Sequence, residues 1–203
     1  PNVGSTPKGM TTFRQNVYFS AEGDIYGREL WETDGTKNGT NLVYDINPGG
    51  FSSNPLDLTV YREKLYFTAE TYTGGRQLWS SDGSSSGTEK LLTTELQNNF
   101  YNVNDLTSSP ERLFFSANSN FTETTIQSIV TVDEDGNEKV IEREVTETKE
   151  RGRELWSMKD YPDNINLVKD INPGPGSSNP TGLVSINNFI YFSANDGSHG
   201  EEL

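Results

Sequence analysis

The chain contains no cysteine, so disulfides, thiolate metal sites and a cysteine nucleophile are excluded. Histidine occurs once, at His199 in a Ser-His-Gly turn, where a polar turn residue suffices as an explanation. Neither a G-x-S-x-G elbow nor an H-E-x-x-H helix motif is present, and nothing in the sequence arranges groups for acid/base or nucleophilic catalysis. No run of about 18 apolar residues exists, which excludes a transmembrane helix. Basic residues are scarce, 16 Lys and Arg against 30 Asp and Glu, a net charge of −14. Such a chain repels phosphate backbones and anionic bilayers, which argues against nucleic-acid binding and against membrane insertion. The opening PNVGSTPKGM has no apolar core and no initiator Met, and reads as the start of a mature or cut segment.

Hydrophobic residues are also few, at 31%, while aromatics make up 11%, so any core leans on Tyr, Phe and Trp. Nineteen glycines, with abundant Asn, Ser and Thr, suit short strands and tight turns better than helices. Disorder is the obvious competitor for a polar, acidic chain. The aromatics argue against it, because they recur in phase. Tyr18-Phe19, Tyr66-Phe67, Phe114-Phe115 and Tyr191-Phe192 are spaced by 48, 48 and 77 residues, so the third unit carries 29 extra. Leu30-Trp31, Leu78-Trp79 and Leu155-Trp156 follow the pairs, and Leu203 ends the chain in the same phase. Asp34-Gly35-Thr36 answers Asp82-Gly83-Ser84, and Asp45-Ile46-Asn47-Pro48-Gly49 answers Asp170-Ile171-Asn172-Pro173-Gly174. Ser53-Asn54-Pro55 answers Ser178-Asn179-Pro180. In the third unit Lys159-Asp160-Tyr161-Pro162 stands where Asp-Gly-Thr is expected.

Each unit reads as four short strands, exemplified by Leu56 to Tyr61, Lys64 to Ala69, a Leu-Trp strand, and Thr40 to Tyr44 after the Asp-Gly turn. Asp-Gly and Asn-Gly supply positive φ at hairpin turns, and Asn-Pro-Gly links the units. Internal repeats of this size indicate an all-β β-propeller of four-stranded antiparallel blades, with about 3.5 repeats present. The alternative is a β-solenoid, which usually needs a shorter coil and parallel stacking. The expected divisions are residues 1–46, 47–96, 97–171 and 172–203. The Leu-Trp pairs are expected to pack between blades rather than to bind a ligand.

The segments ELWETDGTKNGTNLVYDINPG and NLVKDINPGPGSSNP…YFSANDGSHGEEL resemble ELWxxDGT repeats. The resemblance covers nearly the whole chain apart from the third unit's extra residues. It implies a large secreted or surface-attached protein whose propeller closes with more blades, with this chain a portion of it. The motif is specific as a class of repeat and carries little information about activity.

The extra residues lie at about 118–152. Ile126, Val130 and Val132 precede an Asp-Gly turn, and Val140, Ile141 and Val145 follow it, the pattern of a long hairpin projecting between the unit's second and third strands. Such a hairpin serves either as a tolerated surface insertion or as an arm for self-assembly. Asp133 to Gly136 with Glu144 twelfth has part of a calcium-loop pattern, though flanking helices are not expected. Asp34 and Asp82 offer loop oxygens to a cation such as Ca²⁺, but Asp-Gly turns need none. Asn38-Gly39-Thr40 and Asn120-Phe121-Thr122 are N-glycosylation sequons, both placed by this reading in exposed loops.

The repeat, the acidity and the resemblance together suggest a non-enzymatic extracellular structural or adhesion module of a larger surface or filament protein. Its partner would be a protein or polysaccharide at the cell surface. A carbohydrate-binding, lectin-like propeller is the alternative, and an enzyme with a site on the propeller axis ranks third.

Overall fold

The computed structural model describes residues 4–72, 75–91, 100–132, 135–160 and 164–203. All regular structure in them is β. Strands β1 (Lys8–Phe13), β2 (Asn16–Gly23), β3 (Gly27–Thr33) and β4 (Asn41–Tyr44) form one antiparallel meander. Strands β5 (Leu56–Tyr61), β6 (Lys64–Thr71), β7 (Gly75–Ser81) and β8 (Glu89–Lys90) form the second. The third comprises β9 (Phe100–Ser108), β10 (Leu113–Val132), β11 (Glu138–Met158) and β12 (Ile165–Lys169). A three-stranded sheet of β13 (Thr181–Ile186), β14 (Phe189–Asn195) and β15 (Glu201–Glu202) follows. These sheets coincide with the four phases of the repeat. Their antiparallel order is that of meanders and not of the stacked parallel coils of a solenoid.

The register repeats with the sequence. Trp31 pairs with Phe19, Trp79 with Phe67 and Trp156 with Phe115, so each Phe-Trp pair shares one face of its sheet. The neighbouring Leu points to the opposite face, since side chains alternate along a strand. Both faces are used. Phe13, Tyr18, Leu30, Val43 and Ile46 of the first unit form one cluster with Leu65, Phe67, Ala69 and Trp79 of the second. Tyr61, Tyr66 and Leu78 of the second form another with Leu106, Phe115 and Trp156 of the third. The core therefore lies between sheets. The first and second units offer their Leu faces to the unit after, and the second and third their Trp faces to the unit before.

Trp79 and Trp156 are buried, at 7% and 5% exposure, as inter-unit packing requires. Trp31 departs from the expectation. It is half-buried and lines an open, mostly apolar groove of ≈ 400 Å³ with Met10, Val17, Phe19 and Ala21. The physical reason is the packing, because among the described residues no other sheet lies on the Trp face of the first unit.

The first strands carry a second link. Thr11 Oγ1 donates to Leu58 O at 2.9 Å, Thr59 Oγ1 to Leu106 O at 3.2 Å, and Thr107 Oγ1 to Leu183 O at 3.0 Å. This ladder joins β1, β5, β9 and β13 side by side. A bulge interrupts each of these strands, and the residue in it has positive φ: Gly9 (62°), Asp57 (56°), Asp105 (57°) and Gly182 (64°). Glycine and aspartate are among the residues that enter this region at least cost.

The turns differ in part from the expected chemistry. Gly35, Gly83 and the arm-tip Gly136 have φ of 91°, 96° and 87°, as Asp-Gly turns require. The tight β1–β2, β5–β6 and β13–β14 hairpins instead place Arg14, Arg62 and Asn187 at positive φ. The two guanidinium groups lie over the adjacent Phe13 and Tyr61 rings, at 5.1 and 5.3 Å, a contact that offsets part of the backbone cost.

β10 and β11 continue past the sheet as a two-stranded arm, with direct pairs from Ser119↔Arg151 to Val132↔Glu138. The third unit's insertion is thus a lengthening of its second and third strands, as the alternation indicated.

Trp79→Ala should destabilise the fold by about 3–5 kcal/mol, the range for a large buried aromatic, with Trp31→Ala costing clearly less. Denaturant unfolding of both variants checks this ordering.

Candidate functional site

The most elaborate polar constellation is built on the Glu of the Glu-Leu-Trp motif. Glu29 and Glu154 are both 0% exposed. Glu29 accepts from the backbone N–H groups of Ile46 (3.0 Å) and Ser53 (2.9 Å) and from the Ser53 hydroxyl (2.6 Å). Glu154 accepts from the N–H groups of Ile171 and Ser178, both at 2.9 Å, and from the Ser178 hydroxyl at 2.6 Å. Every donor comes from the segment that leads into the next unit. Around each carboxylate the same frame recurs. Ser53 and Asn54 N–H donate to Arg28 O, and Ser178 and Asn179 N–H to Arg153 O. Asn47 Nδ2 donates to Ser52 O and Asn172 Nδ2 to Ser177 O, each at 3.3 Å.

The second occurrence of the motif along the chain differs in both halves at once. Gln77 replaces the Glu, and Tyr101-Asn102-Val103 stands where the other linkers have Ser-Asn-Pro. The carboxylate and its serine donor are lost together. Most of that linker, 92–99, lies outside the described residues.

Burial pushes the Glu29 carboxyl up from 4.5 to about 7, against the pull of its donors, and the nearby Asp45 adds to the rise. Its neighbours are neutral hydrogen-bond donors rather than a cation, so the buried charge is incompletely compensated. A protonated form also has partners. The Ser53 hydroxyl can turn to accept from the carboxyl and donate to Arg28 O, 3.4 Å away.

Arg28 and Arg76 form a second repeated clamp. Arg28 Nη1 donates to Thr6 O (3.0 Å) and Ser20 O (3.1 Å). Arg76 Nη1 donates to Asn54 O (3.0 Å) and Thr68 O (3.3 Å). Each ties the entry of its unit to the second strand.

The Asp34 and Asp82 turns are self-contained. Asp34 Oδ1 accepts from Thr36 N–H and its hydroxyl at 2.8 and 2.7 Å, and Asp82 Oδ1 accepts from Ser84 in the same way at 2.9 and 2.7 Å. These donors hold both carboxyls below their ordinary value. Gly39 and Gly87 close the turns. A Cβ on either would lie 2.0 or 2.1 Å from the aspartate Oδ1. Gly39 is therefore required for close approach and not, as the Asn-Gly pair suggested, for positive φ. The loop oxygens considered for a cation are engaged in shaping the turn.

At the bulges, Asp57 Oδ2 accepts from Asp105 N–H at 3.0 Å, and Asp105 Oδ2 accepts from the Ser116 hydroxyl at 3.2 Å. Burial pushes the Asp57 carboxyl up. Neither residue was singled out by sequence. The signal was present in phase, as Gly9-Met10-Thr11, Asp57-Leu58-Thr59, Asp105-Leu106-Thr107 and Gly182-Leu183-Val184.

His199 Nδ1 lies 2.7 Å from Asp196 Oδ2 within one exposed turn. The pairing raises the imidazole and lowers the carboxyl, and the pair stands apart from the buried clamps. Asn38 is exposed in the first Asp-Gly turn. Asn120 is not in a loop. It is half-buried in β10 opposite Glu150, because the arm's pairing begins at once after the sheet. Asp133 lies outside the described residues, and Glu144 pairs with Ile126 on the arm, between strands and not between helices. Among the described residues no group of three or more His, Asp or Glu is placed to hold a metal ion.

No family model, curated protein or solved structure matches the chain.

The raised Glu29 carboxyl fixes a sign. Between about pH 4.5 and 7 the folded state holds a proton that the unfolded chain has released, so stability falls as pH rises through this window and levels off above it. Glu29→Gln should cost roughly 1–3 kcal/mol at pH 8, because an amide N–H₂ then faces an N–H donor. It should also flatten the slope in that window. Denaturant melts of both proteins across the pH range check this.

Proposed function

We propose that the chain is a non-enzymatic structural or adhesion module acting outside the cell, with its units arranged as blades of a β-propeller. The carrying observation is how the repeated polar groups are spent. Glu29, Glu154, Arg28, Arg76, Asp34, Asp82, Asp57 and Asp105 all satisfy backbone or hydroxyl partners that shape turns or join units. The repeat conserves architecture, and this is the pattern of a scaffold that presents surfaces. The threonine ladder favours blades over a flat stack, since it gathers the first strand of every unit along one line. The acidity and the ELWxxDGT resemblance support a surface or filament setting, with a protein or polysaccharide as partner.

A carbohydrate-binding role is the second reading. It draws on Trp31, whose indole lines an open groove while Trp79 and Trp156 are buried. The groove is lined mainly by apolar side chains, which suits another sheet face better than a sugar.

Antibody labelling of intact cells of the source organism tests the main reading. Labelling without permeabilisation, lost after external protease treatment, is the expected result. Labelling only after permeabilisation would remove the proposal.

A further inference from the structure

The arm has two chemically different faces. Direct antiparallel partners lie on the same side of a ribbon, and from Ser119↔Arg151 to Val132↔Glu138 even-numbered residues pair with even and odd with odd. All four basic residues of this stretch, Lys139, Arg143, Lys149 and Arg151, are odd. The even face carries Glu138, Glu142, Glu144 and Glu150 and no basic residue.

Apolar pairs sit at the centre of each pattern. On the even face Val130 and Val140 are partners, 58% and 62% exposed, beside Glu138 and Glu142. On the odd face Ile129 and Ile141 are partners, 39% and 43% exposed, beside Lys139 and Arg143. The acidic-rimmed and basic-rimmed patches therefore lie back to back at the same level of the ribbon. Nearer the sheet the odd face is neutralised internally. Lys149 pairs with Glu123, and Arg151 pairs with Asp170 at 3.2 Å and lies over Phe121. Among the described residues, the cations without an ion-pair partner, Lys139 and Arg143, are thus at the outer part of the arm.

A two-stranded ribbon exposing β-branched residues on both faces gains stability only when a face is covered. We infer that the arm is a self-association element, in which the even face of one arm packs on the odd face of the arm of a second copy of this chain. Val130 and Val140 then meet Ile129 and Ile141 at the spacing of packed sheets, about 10 Å. Glu138 and Glu142 meet Lys139 and Arg143. Two even faces bring only carboxylates together, and two odd faces with their isoleucine patches aligned bring Lys139 and Arg143 against the same cations, so like faces do not pair. The contact is consequently heterologous, and each added arm leaves one face of either kind open, so association proceeds beyond the dimer. This goes beyond the proposed setting and holds in any compartment.

Sedimentation velocity of the purified chain over a range of concentration and salt is the test. Concentration-dependent oligomers larger than dimers, weakened by high salt, are expected. The double variants Lys139→Glu/Arg143→Glu and Glu138→Lys/Glu142→Lys should each associate at least roughly tenfold more weakly. Mixed together, they should restore association as alternating hetero-oligomers, because the unaltered even face of the first meets the unaltered odd face of the second and the two altered faces meet each other. All four positions are exposed strand residues, so circular dichroism should be unchanged. A monomeric wild type at every concentration overturns the inference. So does association that ignores the charge reversals, or a mixture that does not restore it.

Discussion

Glu29 and Glu154 are carboxylates without solvent contact, each closed by two backbone N–H groups and one serine hydroxyl from the following linker. A connecting segment with its own unpaired N–H groups would normally stay on the surface. Here the carboxylate supplies the acceptors that allow the linker to be buried against the third strand. At the first-to-second and third-to-fourth junctions this contact ties the start of the next sheet to the third strand, whereas at the Gln77 junction the apolar cluster and the Thr59 bond join the sheets without it. Ser53 O then accepts from Glu70 N–H at 2.7 Å, and Ser178 O from Asn195 N–H at 2.8 Å, which carries the constraint into the second strand of the following unit.

Once neighbouring sheets are held at a fixed offset, the rest follows from alternation. Tyr and Leu on one face reach the Phe-Trp pair on the next sheet, and the apolar clusters close between units. The second sheet is buried on both faces, which is why its aromatic strand reads as a continuous hydrophobic run, Leu65-Tyr66-Phe67. The ladder of Thr11, Thr59 and Thr107 adds a polar tie along the first strands. The arm is the one large departure from this economy, since its side chains beyond the sheet contribute little to any inter-unit core.

Much of this is legible in the sequence. The 48-residue phase identified the units and the meander, because landmarks with fixed spacing must occupy equivalent places. The 29-residue excess with its alternating pattern identified the arm. The clamp was not legible, since a glutamate in a strand reads as a solvent-facing charge and only the three-dimensional return of the linker reveals its donors. The paired loss of Glu and Ser around Gln77 was nevertheless visible in the sequence. Trp31 cannot be told from Trp79 by sequence, because the difference lies in how the sheet faces pack and not in local sequence. Asn120 was misplaced because the hairpin pairing starts closer to the sheet than the polar Ser119-Asn120 suggests. The two faces of the arm needed the register, which the odd and even positions of Lys139 to Arg151 acquire only once Ile129↔Ile141 is known.

Amide hydrogen exchange at the linkers tests the central claim most directly. If the carboxylates hold the linkers, the N–H groups of Ile46, Ser53, Ile171 and Ser178 exchange as slowly as those of the core strands, although all four lie outside the strands. Gly49 and Gly50, in the same linker but without the clamp, exchange quickly. Equal, rapid exchange at all of these positions would contradict the account.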